Sequence, residues 1–195
     1  MSTSTFPGAN EPHGRRTRLN DAWSAYAVAR GMRFTPAAER GDAVLAGLST
    51  ARIEAVVDSV SLAFECADLQ TSFFCSPIAP LVGQVELSRR GVLSRIAHYL
   101  GTQGLVLGDP PFDQAFAVTA TNEETARALL GEGVRSDLIT LYPQGFSYDD
   151  GRERGRAPSL RFLMRGMVTD PSTLDTAVGL LAALGNVRVA LSAYR

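Results

Sequence analysis

Apolar residues recur along this chain with two periods, and the switches between them lay out its elements. Alternation every second residue marks a strand, because successive side chains point to opposite faces; spacings of three and four mark one side of a helix. Alternating runs at 32–35, 44–48, 53–58, 61–66, 72–76 and 84–88 read as strands, separated by Gly, Pro, Asp and Ser positions. They predict an antiparallel meander, with Pro77 and Pro80 in the loop before the last run. Ahead of them, Trp23, Tyr26 and Ala27 form the apolar side of a short helix that Asn20 caps and Gly31 ends. After them, Val92, Ile96, Tyr99 and Leu100 place a helix at 91–100.

The stretch Gly108-Asp109-Pro110-Pro111-Phe112-Asp113-Gln114-Ala115-Phe116-Ala117-Val118 is the best-marked part of the chain. Two prolines predict a rigid turn, and Phe112, Phe116 and Val118 share a parity, so the segment reads as a half-buried strand entered through that turn. Both phenylalanines are then expected to be buried. Thr121 or Asn122 caps a following helix with Glu123 and Glu124 in its first turn, Gly131 and Gly133 break it, and a second helical piece runs over 134–141. Runs at 145–148 and 159–168 flank the loop 149–158 as a hairpin. Thr169 or Asp170 caps a last helix with Pro171 in its first turn and Leu174, Val178, Leu181 and Leu184 along its apolar side. Beyond Gly185 the pattern fits a strand and a helix equally.

These elements predict an α+β fold: a largely antiparallel sheet, from an N-terminal β-meander plus a later hairpin, packed with about four to five helices. Residues 1–19 have the composition of a flexible N-terminal arm, and 20–195 that of a single domain. At 195 residues and 45% hydrophobic content, the chain has enough apolar material for one sizeable core. Its formal net charge of -1 gives no global attraction to nucleic acid or anionic lipid. All 19 basic residues are arginine, which reads as codon bias before it reads as selection for bidentate contacts.

Two cysteines, Cys66 and Cys75, make neither a disulfide framework nor a zinc site. A hairpin turning near Gln70 and Thr71 would set them across from each other, as two buried thiols or as a redox pair. Residues 1–20 contain no secretory apolar run, and no window approaches the ~18 apolar residues of a membrane span. The expectation is therefore a cytoplasmic protein.

Asp109 and Asp113 are the one carboxylate pair worth weighing for hydrolysis or divalent-cation binding. Four residues of strand separate them by roughly 13 Å, so only a sharp fold at the prolines would join them. The structural alternative has Asp109 bonding the turn backbone and Asp113 a neighbouring main chain or an arginine. The charged loop after Asp149 offers Arg156, with Arg161 and Arg165 on the next strand, as an anion or nucleic-acid contact if the three project together. His98 and the tail's His13 make no multi-histidine centre, and no phosphate loop, Gly-x-Gly-x-x-Gly, Gly-x-Ser-x-Gly or Cys-x-x-Cys motif is present. No catalytic residue, metal site or cofactor is assigned. The leading expectation is a non-enzymatic protein-interaction or scaffold domain, with a protein partner or a second copy. The alternatives are a small hydrolase or divalent-metal enzyme using Asp109 and Asp113, and weak nucleic-acid binding through the Arg15, Arg16 and Arg18 arm together with the Arg152–Arg165 hairpin.

Trp23-x-x-Tyr26-Ala27, Gly31-Met32-x-Phe34, Leu129-Leu130, Arg135 and above all the Gly-Asp-x-x-Phe-Asp-x-x-Phe segment at 108–116 resemble an uncharacterised bacterial family of domains of unknown function. The resemblance spans most of 21–184. It implies an α+β domain without an assigned activity and transfers no catalytic residue.

Overall fold

The computed structural model describes residues 11–37, 50–67, 69–79, 81–90 and 104–188. In chain order these form α1 (Glu11–Arg30), β1 (Arg33–Thr35), β2 (Ala51–Val57), β3 (Val60–Ala67), β4 (Gln70–Ser76), β5 (Gln84–Arg89), α2 (Pro110–Ala115), β6 (Phe116–Ala120), α3 (Glu123–Leu129), α4 (Glu132–Leu141), β7 (Gly145–Asp149), β8 (Ser159–Arg165) and α5 (Pro171–Gly185). The eight strands make one sheet in the order β1-β2-β3-β4-β8-β7-β5-β6. Every neighbouring pair is antiparallel. The meander and the later hairpin are therefore parts of a single α+β sheet, joined where β4 pairs with β8 and β7 with β5.

The strand registers align one apolar row across all eight strands: Phe34, Ile53, Phe64, Phe73, Phe162, Phe146, Leu87 and Val118. Phe64, Phe73 and Phe162 stack in sequence, with ring centroids 5.5 and 4.6 Å apart. Trp23 of α1 meets the edge of this stack, 5.4 Å from Phe64, and its indole N–H donates to Val168 O at 2.7 Å. The five described helices send their apolar residues to this face, where helix and sheet side chains form one core cluster. A second clasp ties α1 to α5: Arg30 and the Tyr26 hydroxyl both donate to Asp175. Val60 leaves no room for a side chain at Gly185, which lets α5 lie close on β3.

Several expectations change. The helix around Trp23 begins at Glu11, so residues 11–19 of the expected arm are helical and Leu19 is buried. An anchored segment propagates a helix cheaply once nucleated, which end signals alone do not reveal. Asn20 lies inside this helix rather than capping it, and its amide clamps the Ala37 backbone, accepting from its N–H and donating to its C=O. Phe112 lies on a helix, not a strand, since Asp109 caps α2 and Pro110 and Pro111 occupy its first positions. Even so, Phe112 and Phe116 are 0% and 1% exposed. Gly133 sits inside α4 instead of breaking it, and the last strand stops at Arg165.

Cys66 pairs in register with Thr71 and Cys75 with Leu62, so the two thiols do not oppose each other. The hairpin turns ahead of Gln70, not at Gln70 and Thr71. Both cysteines are buried, and burial pushes the Cys75 thiol up to about 12. The expected strand at 44–48, the expected helix at 91–100 with His98, and the side chain of His13 lie outside the described residues.

Candidate functional site

The two acids of the 108–118 stretch do come together, and their bonds show what they are used for. Asp109 accepts the Phe112 N–H at 3.3 Å, and Arg135 donates to its other oxygen at 2.7 Å. Asp113, one helical turn later, reaches back and accepts three backbone N–H groups, from Leu107, Gly108 and Asp109, at 3.0–3.1 Å. Because the two prolines bring no N–H, these bonds satisfy the open donors at the start of the helix, Asp109 and Phe112, and those of Leu107 and Gly108 in the turn that leads into it. The Arg135 guanidinium, then the Phe112 N–H, hold the Asp109 carboxyl below the usual carboxylate range. Arg135 also donates to Leu130 O, tying α2 to the end of α3. This constellation locks a corner of the fold; both carboxylates spend their oxygens on it.

The hairpin tip follows the same logic. Asp150 is buried and accepts the N–H groups of Gly83 and Arg152, which hold its carboxyl below the usual range. Asp149 accepts the Gly151 N–H at 2.8 Å. Gly151 has φ 72°, and a side chain there would collide with Arg156 O, so the turn needs glycine. Arg152 and Arg154 lie 3.8 and 3.9 Å from Asp150 and Asp149. Arg156 is exposed in the loop, while Arg161 and Arg165 are separated by about 13 Å of strand. The three arginines are therefore strung out, not gathered.

What the structure does assemble is the sheet face away from the helices. One residue along from the apolar row, the register aligns Arg33, Glu54, Ala63, Phe74, Arg161, Ser147, Glu86 and Thr119. A second outward row runs through Arg52, Glu65, Ser72, Leu163, Gly145, Ser88 and Ala117. The apolar members of these rows, Ala63, Phe74, Leu163 and Ala117, take no part in the core cluster. Glu54 accepts from Arg33 and Arg52, and Arg52 also donates to Glu65, which knits β1, β2 and β3 together. Arg161 lies over the Phe74 ring, 5.3 Å from its centroid, and donates to Ser72 Oγ at 3.2 Å. On the other side of the first row, between it and a third outward row through Val56, Ser61 and Ser76, lies a groove of about 600 Å³, lined among others by Arg33, Glu54, Ser61, Phe74, Ser76 and Ser159.

Arg161 and Arg165 were legible as candidates from their charge. Arg52, Glu54, Glu65 and Phe74 were not singled out, although the polar half of the alternation in β2 and β3 was the available signal. Among the described residues, no cluster of three or more His, Cys, Asp or Glu side chains is placed to hold a metal ion. No described helix is long and apolar enough to cross a membrane.

No protein-family model matches the chain. No match to a curated protein is found either. Among solved structures, the crystal structure of the mycobacterial trehalose monomycolate transport factor A, TtfA, is similar in fold, with a TM-score of 0.56 over 87% of this chain and 94% of that one. The two sequences are 9% identical, so the likeness is one of fold.

Proposed function

We propose that this chain is a non-enzymatic accessory domain that holds a protein partner against the face of its sheet turned away from the described helices. The observation that carries the reading is the asymmetry of that sheet: one face is closed by a continuous aromatic core, and the other presents two charged and small-residue rows with a groove beside them. A face of this kind keeps long side chains in solvent on the free molecule and offers a broad platform for docking. The fold of a protein named as a transport factor supports the same class of role, an accessory that works through other molecules. The family resemblance carried by the 108–116 segment belongs to this proposal too, with that segment building the corner behind the platform.

Site-specific cross-linking tests the reading. A photoreactive residue at Ser76 or Leu163, on the open face, is expected to capture the same discrete protein in the source cells. The same residue at Val28 or Ile139, exposed on the helical side, is expected to capture far less. Equal capture at all four positions would sink the proposal.

A further inference from the structure

The charges on the open face are unequal in a way that identifies the chemistry of its occupant. Arg33 and Arg52 are neutralised on the spot by Glu54 and Glu65. No acid lies within ion-pair distance of Arg161 or Arg165 among the described residues; the acids in the Arg161 row are Glu86, two strands away on β5, and Glu54, three strands away on β2 and already paired with Arg33 and Arg52. Arg161 spends one N–H on Ser72 Oγ and rests on the Phe74 ring. A guanidinium held over an aromatic ring is oriented before its ligand arrives, and its remaining donors form the fork that fits a carboxylate. Beside it, the groove is lined by the small residues Ser61, Ala63, Ser76 and Ser159, which let a backbone approach closely.

We infer that the groove takes an extended acidic segment of a protein partner, with a partner carboxylate seated on Arg161. The segment lies across β2, β3, β4 and β8, with Arg161 at the groove's β8 end, two residues from Ser159. This rests on the docking reading above and adds the partner's chemistry to it. The specificity is for acid in an extended chain: toward β2 the charges of Arg33, Arg52, Glu54 and Glu65 are paired with one another, so the residue that selects a partner carboxylate is Arg161, at the β8 end.

The test uses the full chain and a fluorescein-labelled decapeptide of alternating Glu and Leu, read by fluorescence anisotropy. The same peptide with Lys for Glu and a labelled single-stranded oligonucleotide serve as comparisons. Saturable binding of the Glu peptide is expected, weakened about tenfold by Arg161→Gln, the factor that 1.4 kcal/mol represents. Arg156→Gln, on the exposed loop, is expected to leave it unchanged. Thermal unfolding of the Arg161→Gln protein at the same temperature as the parent excludes a folding defect; if it melts lower, Arg161→Lys, which keeps the charge and loses the fork, replaces it and is expected to weaken binding as well. Absence of Glu-peptide binding, equal binding of the Lys peptide, equal loss in Arg156→Gln, or tighter binding of the oligonucleotide would each overturn the inference. Should cross-links at Ser76 and Leu163 persist while the Glu peptide fails, docking stands and the acidic occupant falls; should both fail, the two readings fall together.

Discussion

Two neighbouring rows of residues cross the same eight strands, one position apart in the chain, and they have opposite characters. In one, Phe64, Phe73 and Phe162 stack beneath Trp23 and merge with every described helix into a single core. In the other, Phe74 is the lone aromatic, set between Ala63 and the arginine that caps it. Phe73 and Phe74 are adjacent in sequence, alike in composition and alike in backbone. What separates them is the pleat, which sends one under the helices and the other onto the platform. Stability is therefore concentrated in one row, and the recognition proposed above belongs to the other.

The sharpest way to break this comparison is to truncate both phenylalanines. Phe73→Ala is expected to cost about 3–5 kcal/mol, as a fully buried ring in a stack should, whereas Phe74→Ala is expected to cost about 1 kcal/mol or less. Urea denaturation of the two variants measures both; equal losses would refute the division of labour. Phe112→Ala, at the corner behind the sheet, belongs with the first and is likewise expected to lose about 3–5 kcal/mol.

A smaller effect follows from the clasp that keeps α1 and α5 over the aromatic row. Donation from Arg30, and less so from Tyr26, holds the Asp175 carboxyl below its usual range. A carboxylate with a lowered folded-state value adds stability that is fully present above the ordinary value, near about 4, and is lost as pH falls through the folded one. Stability should therefore decline on the acid side of about pH 4, and Asp175→Asn should be less stable at neutral pH with a shallower acid decline. Denaturation midpoints at pH 3 to 7 read both; an unchanged acid slope would show that the clasp contributes nothing. The smallest effect is expected on the platform itself. Arg52→Ala breaks two exposed ion pairs and should cost about 1 kcal/mol or less, read from the same urea curves.

Much of the sheet was visible in the chain because alternation is local. β2, β3, β4 and β5 appear within a few residues of their expected ends, as do the Asn122 and Asp170 caps. Phe112 was misplaced because an i, i+4 pair with Phe116 satisfies a strand parity and a helical turn alike. The Asp109 cap followed by two prolines was the better signal, and it marks a helix start. The cysteine pairing failed by a small shift of the turn, which changes every partner along a hairpin. Arg161 could be named from sequence, but its neighbours Phe74 and Ser72 lie nearly ninety positions earlier. Only the β4–β8 pairing brings them together, and no local pattern encodes that contact.

The central claim, that the outward rows are the working surface, is met most directly by arginine-selective footprinting with phenylglyoxal. Arg161, Arg165 and Arg156 are labelled in the purified protein and in the protein inside its source cells, and modification is read by mass spectrometry. Arg161 and Arg165 are expected to react when purified and to be protected in the cells, while Arg156 reacts in both. Equal labelling of Arg161 and Arg156 under the two conditions would contradict it.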